Sequence, residues 1–334
     1  SRGLGDVYKR QVPLPRFFDY LYSPDLTPIV GGRVLVPFGS QKRVGIVVDL
    51  PASSDVAKEK LKPIIDVLDA ESLFNSTTWD WLAWSANYYR AALGDVLFQA
   101  LPVKLRNGES AVKNDRTFWH ITDLGKQALE SGELKRAKKQ IEALNLLLTQ
   151  DLEKGNNEIG SAIWSALKGK DYVKEIIVPT EQKSWQQTLG DNPLVNLDNR
   201  LTLNKQQALA FSQLLFQEGF NVWLLEGVTG SGKTEIYLQY IEEVLKKGKQ
   251  VLVLVPEIGL TPQTVRRFQA RFNVEIDVLH SNLNDTQRLN VWERARTGQS
   301  AIVIGTRSAL FTQFSDLGLI ILDEEHDGSF KQQD

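Results

Sequence analysis

From Leu224 to Tyr237 the chain reads LLEGVTGSGKTEIY, and Gly227 to Thr234 satisfy G-x-x-x-x-G-K-[ST] at every fixed position. Gly227, Gly230 and Gly232, interleaved with Thr229 and Ser231, let successive backbone N–H groups turn inward around a phosphate. A helix opening near Lys233 would add its positive end, the Lys233 ammonium would reach the β and γ phosphates, and the Thr234 hydroxyl would hold Mg²⁺. A second cluster, LGLIILDEEHD, places Asp323 and Glu324 directly after an apolar run. A carboxylate at a strand end can hold Mg²⁺, and its neighbour can orient and deprotonate an attacking water. Phosphoryl transfer asks little more of a protein than such positioning and charge. The two clusters together predict an NTP site.

The elements that position them read as α/β. From Leu201 onward, apolar runs at Val222–Leu225, Val251–Val255, Val274–Leu279, Ala301–Ile304 and Leu317–Leu322 alternate with helix-like segments, which predicts a parallel sheet with helices on both faces. Ligands of such sheets sit beyond the carboxyl ends of the strands, where both clusters fall. Residues 12–105 open with short strands punctuated by proline and predict a small β-rich domain. Its one clear helix begins near Ser76 or Thr77 and carries Trp79, Trp81, Leu82, Ala83, Trp84, Ala86, Tyr88 and Tyr89, aromatics assigned to packing. Residues 106–180 begin with a charged stretch and continue with helices and a strand, which suggests a winged-helix domain. Lys135, Arg136, Lys138 and Lys139 crowd the start of one of its helices, as a solvated face or as phosphate contacts. Residues 181–200 read as a polar linker and 201–334 as the P-loop domain. Residues 1–11, SRGLGDVYKRQ, lack the alternation that begins at Val12 and are expected to be a leader of non-native origin outside the fold.

Composition narrows the class. The 334 residues are 42% hydrophobic and 24% charged, the make-up of soluble globular material, and no apolar run approaches the roughly 18 residues of a spanning helix. A cytoplasmic protein is expected. With Cys 0, disulfides and thiolate metal sites are excluded, and His120, His280 and His326 are too scattered in sequence for a local metal cluster. A net charge of −2 neither advertises nucleic acid nor rules out a locally basic groove.

Further segments carry a resemblance. DEEH after that strand resembles motif II of superfamily-2 helicases. LNKQQALA (203–210), VPEIGLTPQ (255–263) and IGTRSALF (304–311) resemble the Q-motif, motif Ia and motif Ib of the PriA family of replication restart helicases, also called primosomal protein N′. PLPRFFDY, RVLVPFG and GDVLFQALP resemble that family's N-terminal domain, so the resemblance extends over nearly all of 12–334.

The resemblance implies a RecA-like lobe and an ATP- and Mg²⁺-dependent 3′-to-5′ DNA helicase, bacterial and nucleoid-associated, that recognises abandoned forks and starts primosome assembly. It assigns Gln207 to adenine, Lys233 and Thr234 to phosphates and Mg²⁺, Asp323 to Mg²⁺ and Glu324 to water. His326 would couple nucleotide state to DNA, and Thr306 and Arg307 would line the tracking strand. Phe18, Asp19, Gly39 and Lys62 match the positions of a pocket for a DNA 3′ end. Partners implied are branched and single-stranded DNA, single-stranded DNA-binding protein and other primosome proteins, with no membrane. A second lobe with an arginine finger and a cysteine-rich zinc module belong to the family and are not found before Asp334. The chain is therefore expected to be a fragment that binds more than it turns over. Plainer roles stand beside these: Gln207 as a solvated helix residue, His326 as a satisfied strand-end histidine, Arg307 in a surface ion pair, and Asp19 stabilising a local turn. A P-loop enzyme of another class would leave TRSALF and the N-terminal segments unexplained, and a non-catalytic fork-binding module would use them without turnover.

Overall fold

The structure is a computed structural model that describes residues 3–9, 17–110, 116–131, 134, 137–154, 159–178, 182–215, 219–228 and 230–330. The chain divides into two compact units, Ser1–Ala111 with Lys183–Asp334, and Val112–Gln182.

In the first unit, strands β1 (Gly3–Lys9), β2 (Phe18–Tyr22), β3 (Arg33–Phe38), β4 (Gln41–Asp49) and the short β5 (Lys62–Pro63) and β6 (Asp66–Val67) form one sheet in the order β5-β2-β1-β4-β3-β6. Phe38 pairs with Gln41, so Gly39 and Ser40 form a two-residue hairpin loop, and Gly39 takes the left-handed φ of +59° that a tight hairpin turn uses. Val34 and Val36 alternate into the core beside Tyr20 and Val47. Arg33 is fully buried, with Nε and Nη2 each 2.8 Å from the Asp69 carboxylate and Nη1 donating to Leu105 O and Glu109 O. A buried charge needs such complete pairing.

Two expectations are corrected here. Residues 1–11, expected to lie outside the fold, supply β1, which pairs with β2 and β4. Strand addition uses backbone N–H and C=O groups, which a stretch without apolar alternation still offers. The correction concerns the fold, not the segment's origin. Helix α1 (Ser76–Tyr88) is capped by Asn75, whose side chain accepts from Thr78 N. It buries Leu82 and Ala86, while Trp84, Tyr88 and Tyr89, assigned to packing, are 55, 64 and 73% exposed. Leu82 and Trp84 are separated by two residues and so sit on opposite sides of the helix. Helices α2 (Leu93–Gln99) and α3 (Val103–Arg106) complete this part.

The second unit contains β7 (Arg116–Ile121), α4 (Asp123–Glu130), α5 (Lys138–Thr149), β8 (Leu152–Glu153), α6 (Ser161–Lys168) and β9 (Val173–Val178), with an antiparallel sheet in the order β8-β7-β9. Trp119 of β7 stacks on Trp164 of α6 at 5.3 Å in its core. The sheet is completed by a strand that precedes the helices, not only by one that follows them. Lys138 and Lys139 begin α5, whereas Lys135 and Arg136 lie outside the described residues.

The remainder of the first unit contains α7 (Trp185–Leu189), α8 (Lys205–Leu215), α9 (Lys233–Lys246), β10 (Gln250–Leu254), α10 (Pro262–Arg271), β11 (Ile276–Leu279), α11 (Asp285–Arg296), β12 (Ile302–Gly305) and β13 (Leu317–Leu322). Its sheet is parallel, in the order β11-β12-β10-β13. The stretch 181–200, expected to be a polar linker, packs instead. Trp185 and Val195 enter the core, and Ser184 and Gln187 form a capping box on α7. Leu189 and Leu194 pack against the same core, so four apolar side chains among polar ones anchor it. Val222–Leu225, expected to be a strand, joins no sheet. β10 has a partner on each side, whereas the sheet stops at β13, whose Leu317, Ile320 and Leu322 are exposed. Val222, Trp223 and Leu224 are themselves exposed, so the run finds neither ladder partner nor apolar cover among the described residues.

The β-rich part docks on this lobe through hydrogen bonds and an aromatic contact. Gln313 donates to Leu73 O, Asn75 Nδ2 donates to Phe314 O at 3.0 Å, and Trp81 meets Phe311 at 5.8 Å. Within the lobe, buried Gln250 uses all four of its amide bonding positions. Nε2 donates to Ala295 O and Ser300 O, and Oε1 accepts from Ser315 Oγ and Asp316 N. It thereby ties the start of β10 to α11 and to the start of β13. Among the described residues no helix is long and apolar enough to cross a membrane. Gln250→Leu should cost on the order of 3 kcal/mol in urea unfolding, because four partners lose their bonds in a buried place. An unchanged midpoint would contradict this role.

Candidate nucleotide and DNA sites

The site begins with register. Leu254 pairs with Gly305 on one side and Leu322 on the other, so the next residues, Val255, Thr306 and Asp323, leave the sheet at one level. Ladder bonds hold them there: Val255 N donates to Gly305 O and Asp323 N to Leu254 O, each at 2.9 Å. The motifs read as Ia, Ib and II therefore share one edge. Val255, Glu257, Thr306, Arg307, Ser308 and Ser329 line a small cleft of about 100 Å³ along it.

The phosphate loop lies at the start of α9. Gly230 and Gly232 have φ of +79° and +83°, and Gly232 caps the helix without a side-chain bond; Glu235 N donates to Gly232 O, which leaves the N–H groups of Lys233 and Thr234 to face an anion. Space for a Cβ at Gly230 is open, while one at Gly227 would meet Ser231 Oγ. Lys233 Nζ donates to Gly227 O at 2.5 Å, so the ammonium points into the loop. Thr229 lies outside the described residues. An uncapped helix start, left-handed glycines and an inward lysine fit a polyphosphate. The Thr234 hydroxyl and the Asp323 carboxylate are hard oxygen donors that fit a divalent cation. No cluster of three or more His, Cys, Asp or Glu that could hold a metal occurs among the described residues. A cation held largely by phosphate oxygens does not require one.

Gln207 reaches this loop from α8. Its Nε2 donates to Ser231 O at 2.9 Å, and its Oε1 accepts from Asn204 N in a reciprocal cap. Asp323 is brought to α9 by a residue the sequence reading passed over. Tyr237 lies one turn after Thr234, and its hydroxyl donates to Asp323 Oδ2 at 3.0 Å. Burial and the neighbouring Asp323 charge raise the Tyr237 pKa well above the ordinary phenol range, so the group stays a donor. Glu324 takes a left-handed φ of +51°, an uncommon conformation for a non-glycine residue. Glu324 Oε2 lies 3.6 Å from His326 Nε2, and both side chains are exposed. Arg307 is exposed in the cleft beside Thr306.

A second network was also missed. Glu235, next to Thr234, is buried and pairs with Arg271 Nη2 at 2.9 Å, Gln239 donates to Glu235 and to Leu201 O, and Arg271 Nη1 donates to Asn199 O. The approach to the Gln207 helix is thus pinned to the phosphate-loop helix. Polar residues at 235, 239 and 242, spaced four and three apart on the apolar face of α9, were the signal in the sequence.

In the β-rich part, Phe18 meets Phe38 edge-on at 5.4 Å beside Gly39, where a Cβ would touch nothing within 4 Å. Lys62 pairs with Tyr20 across β5 and β2. Asp19, next after Phe18 in the strand, accepts from Ser54 Oγ while Phe18 packs toward the core. Phe18 and Gly39 thus share one end of the sheet through Phe38, Lys62 stands opposite Tyr20 on the edge strand, and Asp19 points to the face of β2 opposite Phe18.

Comparison with known proteins follows this division. Residues 10–102 match the family of PriA 3′ DNA-binding domains (3′BD), and residues 204–334 match the DEAD/DEAH box helicases. The chain is 75% identical over 323 residues to the replication restart protein PriA of Haemophilus influenzae, an alignment covering 97% of this chain and 44% of that protein. It is 34% identical over 389 residues to PriA of Synechocystis, covering 94% of the chain and 46% of the relative, and 30% identical over 404 residues to PriA of Bacillus subtilis, covering 98% and 49%. The chain spans a little under half the length of these relatives.

Gln207→Ala should release the Ser231 carbonyl. Losing one bond of about 1 kcal/mol predicts roughly fivefold faster hydrogen exchange at the amides of Ser231 to Thr234, with β10 unchanged. Equal exchange in both proteins would show that Gln207 does not hold the loop.

Proposed function

We propose, because this chain belongs to the PriA family of replication restart proteins, that a protein carrying it is an ATP-dependent 3′-to-5′ DNA helicase that acts at stalled or abandoned forks and initiates primosome assembly. The observation that carries this reading is the shared sheet edge, where Asp323 is bonded to the phosphate-loop helix and emerges level with Thr306 and the cleft that Arg307 lines. A change at the phosphates can be felt along such an edge by whatever lies against motifs Ia and Ib.

In this reading ATP phosphates lie against the loop N–H groups and Lys233, and Mg²⁺ is held by Thr234 and Asp323. Bound Mg²⁺ supplies charge neutralisation of the polyphosphate. Glu324 orients water, Gln207 reads the adenine, and His326, paired with Glu324, carries the state of the site outward. Thr306 and Arg307 contact the tracking strand, while Phe18, Asp19, Gly39 and Lys62 hold a DNA 3′ end. Single-stranded DNA-binding protein and other primosome proteins are the partners, and the place of work is the bacterial cytoplasm at the nucleoid. Zinc is assigned to none of these residues.

Lys233→Ala, made in a protein of the relatives' full length, is expected to lower ATP hydrolysis and unwinding by roughly 10²-fold or more while fork binding is kept. Parallel loss of fork binding would contradict this division of labour. At the other end, an ionised Asp19 accepts hydrogen bonds and repels a phosphate placed beside it. Wild type should bind forks ending in a 3′-hydroxyl better than forks ending in a 3′-phosphate, and Asp19→Ala should lose about 1 to 3 kcal/mol of that preference. The same preference in both proteins would remove Asp19 from the end-binding site.

A further inference from the structure

Tyr237 belongs to none of the motifs that carried the functional reading, yet it stands beside two of them and against the helix that follows a third. It follows Thr234 by one helical turn, so the two side chains lie on the same face of α9. Its hydroxyl donates to Asp323 Oδ2 at 3.0 Å. Its ring lies nearly parallel to that of Phe268, 6.4 Å away with 22° between the planes, and Phe268 is a core residue of α10, the helix that follows motif Ia. The ring is thus clamped by packing while its polar end is aimed at the one carboxylate that leaves β13 level with motif Ib.

For packing alone a phenylalanine would fill the same space without a hydroxyl that must find a partner. The hydroxyl does something that packing does not require: it occupies one oxygen of Asp323 and fixes the plane of the carboxylate. Oδ1 takes no side-chain partner among the described residues. A carboxylate held by one oxygen presents the other in a fixed direction, and outer partners of this kind tune how well a ligand set holds its cation. Without the hydroxyl, Asp323 is free to turn about its side-chain bonds, and a cation must restrict that freedom on binding.

We infer that Tyr237 is a positioning residue for the divalent cation: it orients Asp323 toward Thr234 and so sets the metal-dependent part of nucleotide affinity. The inference rests on the nucleotide reading above. Its test uses this chain and a fluorescent ADP analogue, with binding followed by anisotropy in excess Mg²⁺ and in EDTA, for wild type, Tyr237→Phe and Asp323→Asn. In wild type Mg²⁺ should tighten binding. In Tyr237→Phe, which keeps the ring and its contact with Phe268, the Mg²⁺-dependent gain should fall roughly tenfold, the scale for outer partners of metal ligands. The affinity in EDTA should stay within about twofold, since the hydroxyl is aimed at a metal-holding oxygen rather than at the nucleotide. Asp323→Asn should remove most of the gain, and adding Tyr237→Phe to it should change nothing more, because both act through one oxygen set. A full Mg²⁺ gain in Tyr237→Phe would overturn the inference and leave the nucleotide site standing. Equal weakening with and without Mg²⁺ would also overturn it, by showing that the hydroxyl supports the loop as a whole. Absence of nucleotide binding by wild type would overturn the nucleotide reading and the inference with it.

Discussion

The structure depends on the register of one buried strand. β10 is paired in parallel on both sides, and because Leu254 stands opposite both Gly305 and Leu322, three chain segments distant in sequence leave the sheet at a single level. A slip of one residue would turn each emerging side chain to the other face of the sheet. Gln250 guards against that slip at the opposite end of the strand, where its satisfied amide joins β10 to α11 and to the start of β13. A buried amide with four partners tolerates no other alignment without leaving polar groups unpaired.

Around that edge, polar side chains do the joining. Tyr237 ties α9 to the end of β13, Gln207 ties α8 to the phosphate loop, and Glu235 with Arg271 and Gln239 ties the 199–201 segment to α9. The segment that follows Thr306 and Arg307 is also the one on which the β-rich part docks, through Phe311, Gln313 and Phe314. Residues proposed to hold a DNA 3′ end and residues proposed to follow a DNA strand are therefore in one continuous packed body.

Much of this was legible in the sequence, for physical reasons that differ by element. β13 was read residue for residue, since a six-residue apolar run ending in two carboxylates allows few alternatives. The phosphate loop declared itself because glycines at fixed spacing serve a backbone geometry that other residues resist. Val222–Leu225 misled, because an apolar run states that a segment can enter a sheet and not that a neighbour stands ready to receive it. β1 misled in the opposite sense, since strand pairing draws on the backbone and leaves little trace in side-chain pattern. Trp84 and Tyr88 were placed inside by their chemistry and outside by helical phase, and Tyr89 follows the last turn of the helix. Tyr237 and Arg271 were invisible for a further reason: their roles arise only when α9, α10 and β13 are brought together by the fold.

The loop at Lys233–Thr234 and the carboxylate at Asp323 are proposed to hold one divalent cation together, with a nucleotide. The most direct measurement replaces Mg²⁺ with Fe²⁺ and ascorbate and maps where hydroxyl radicals cut the backbone. Cuts should cluster near both Thr234 and Asp323, depend on added nucleotide and be suppressed by excess Mg²⁺. Cuts near only one of the two, or cuts indifferent to nucleotide, would contradict it.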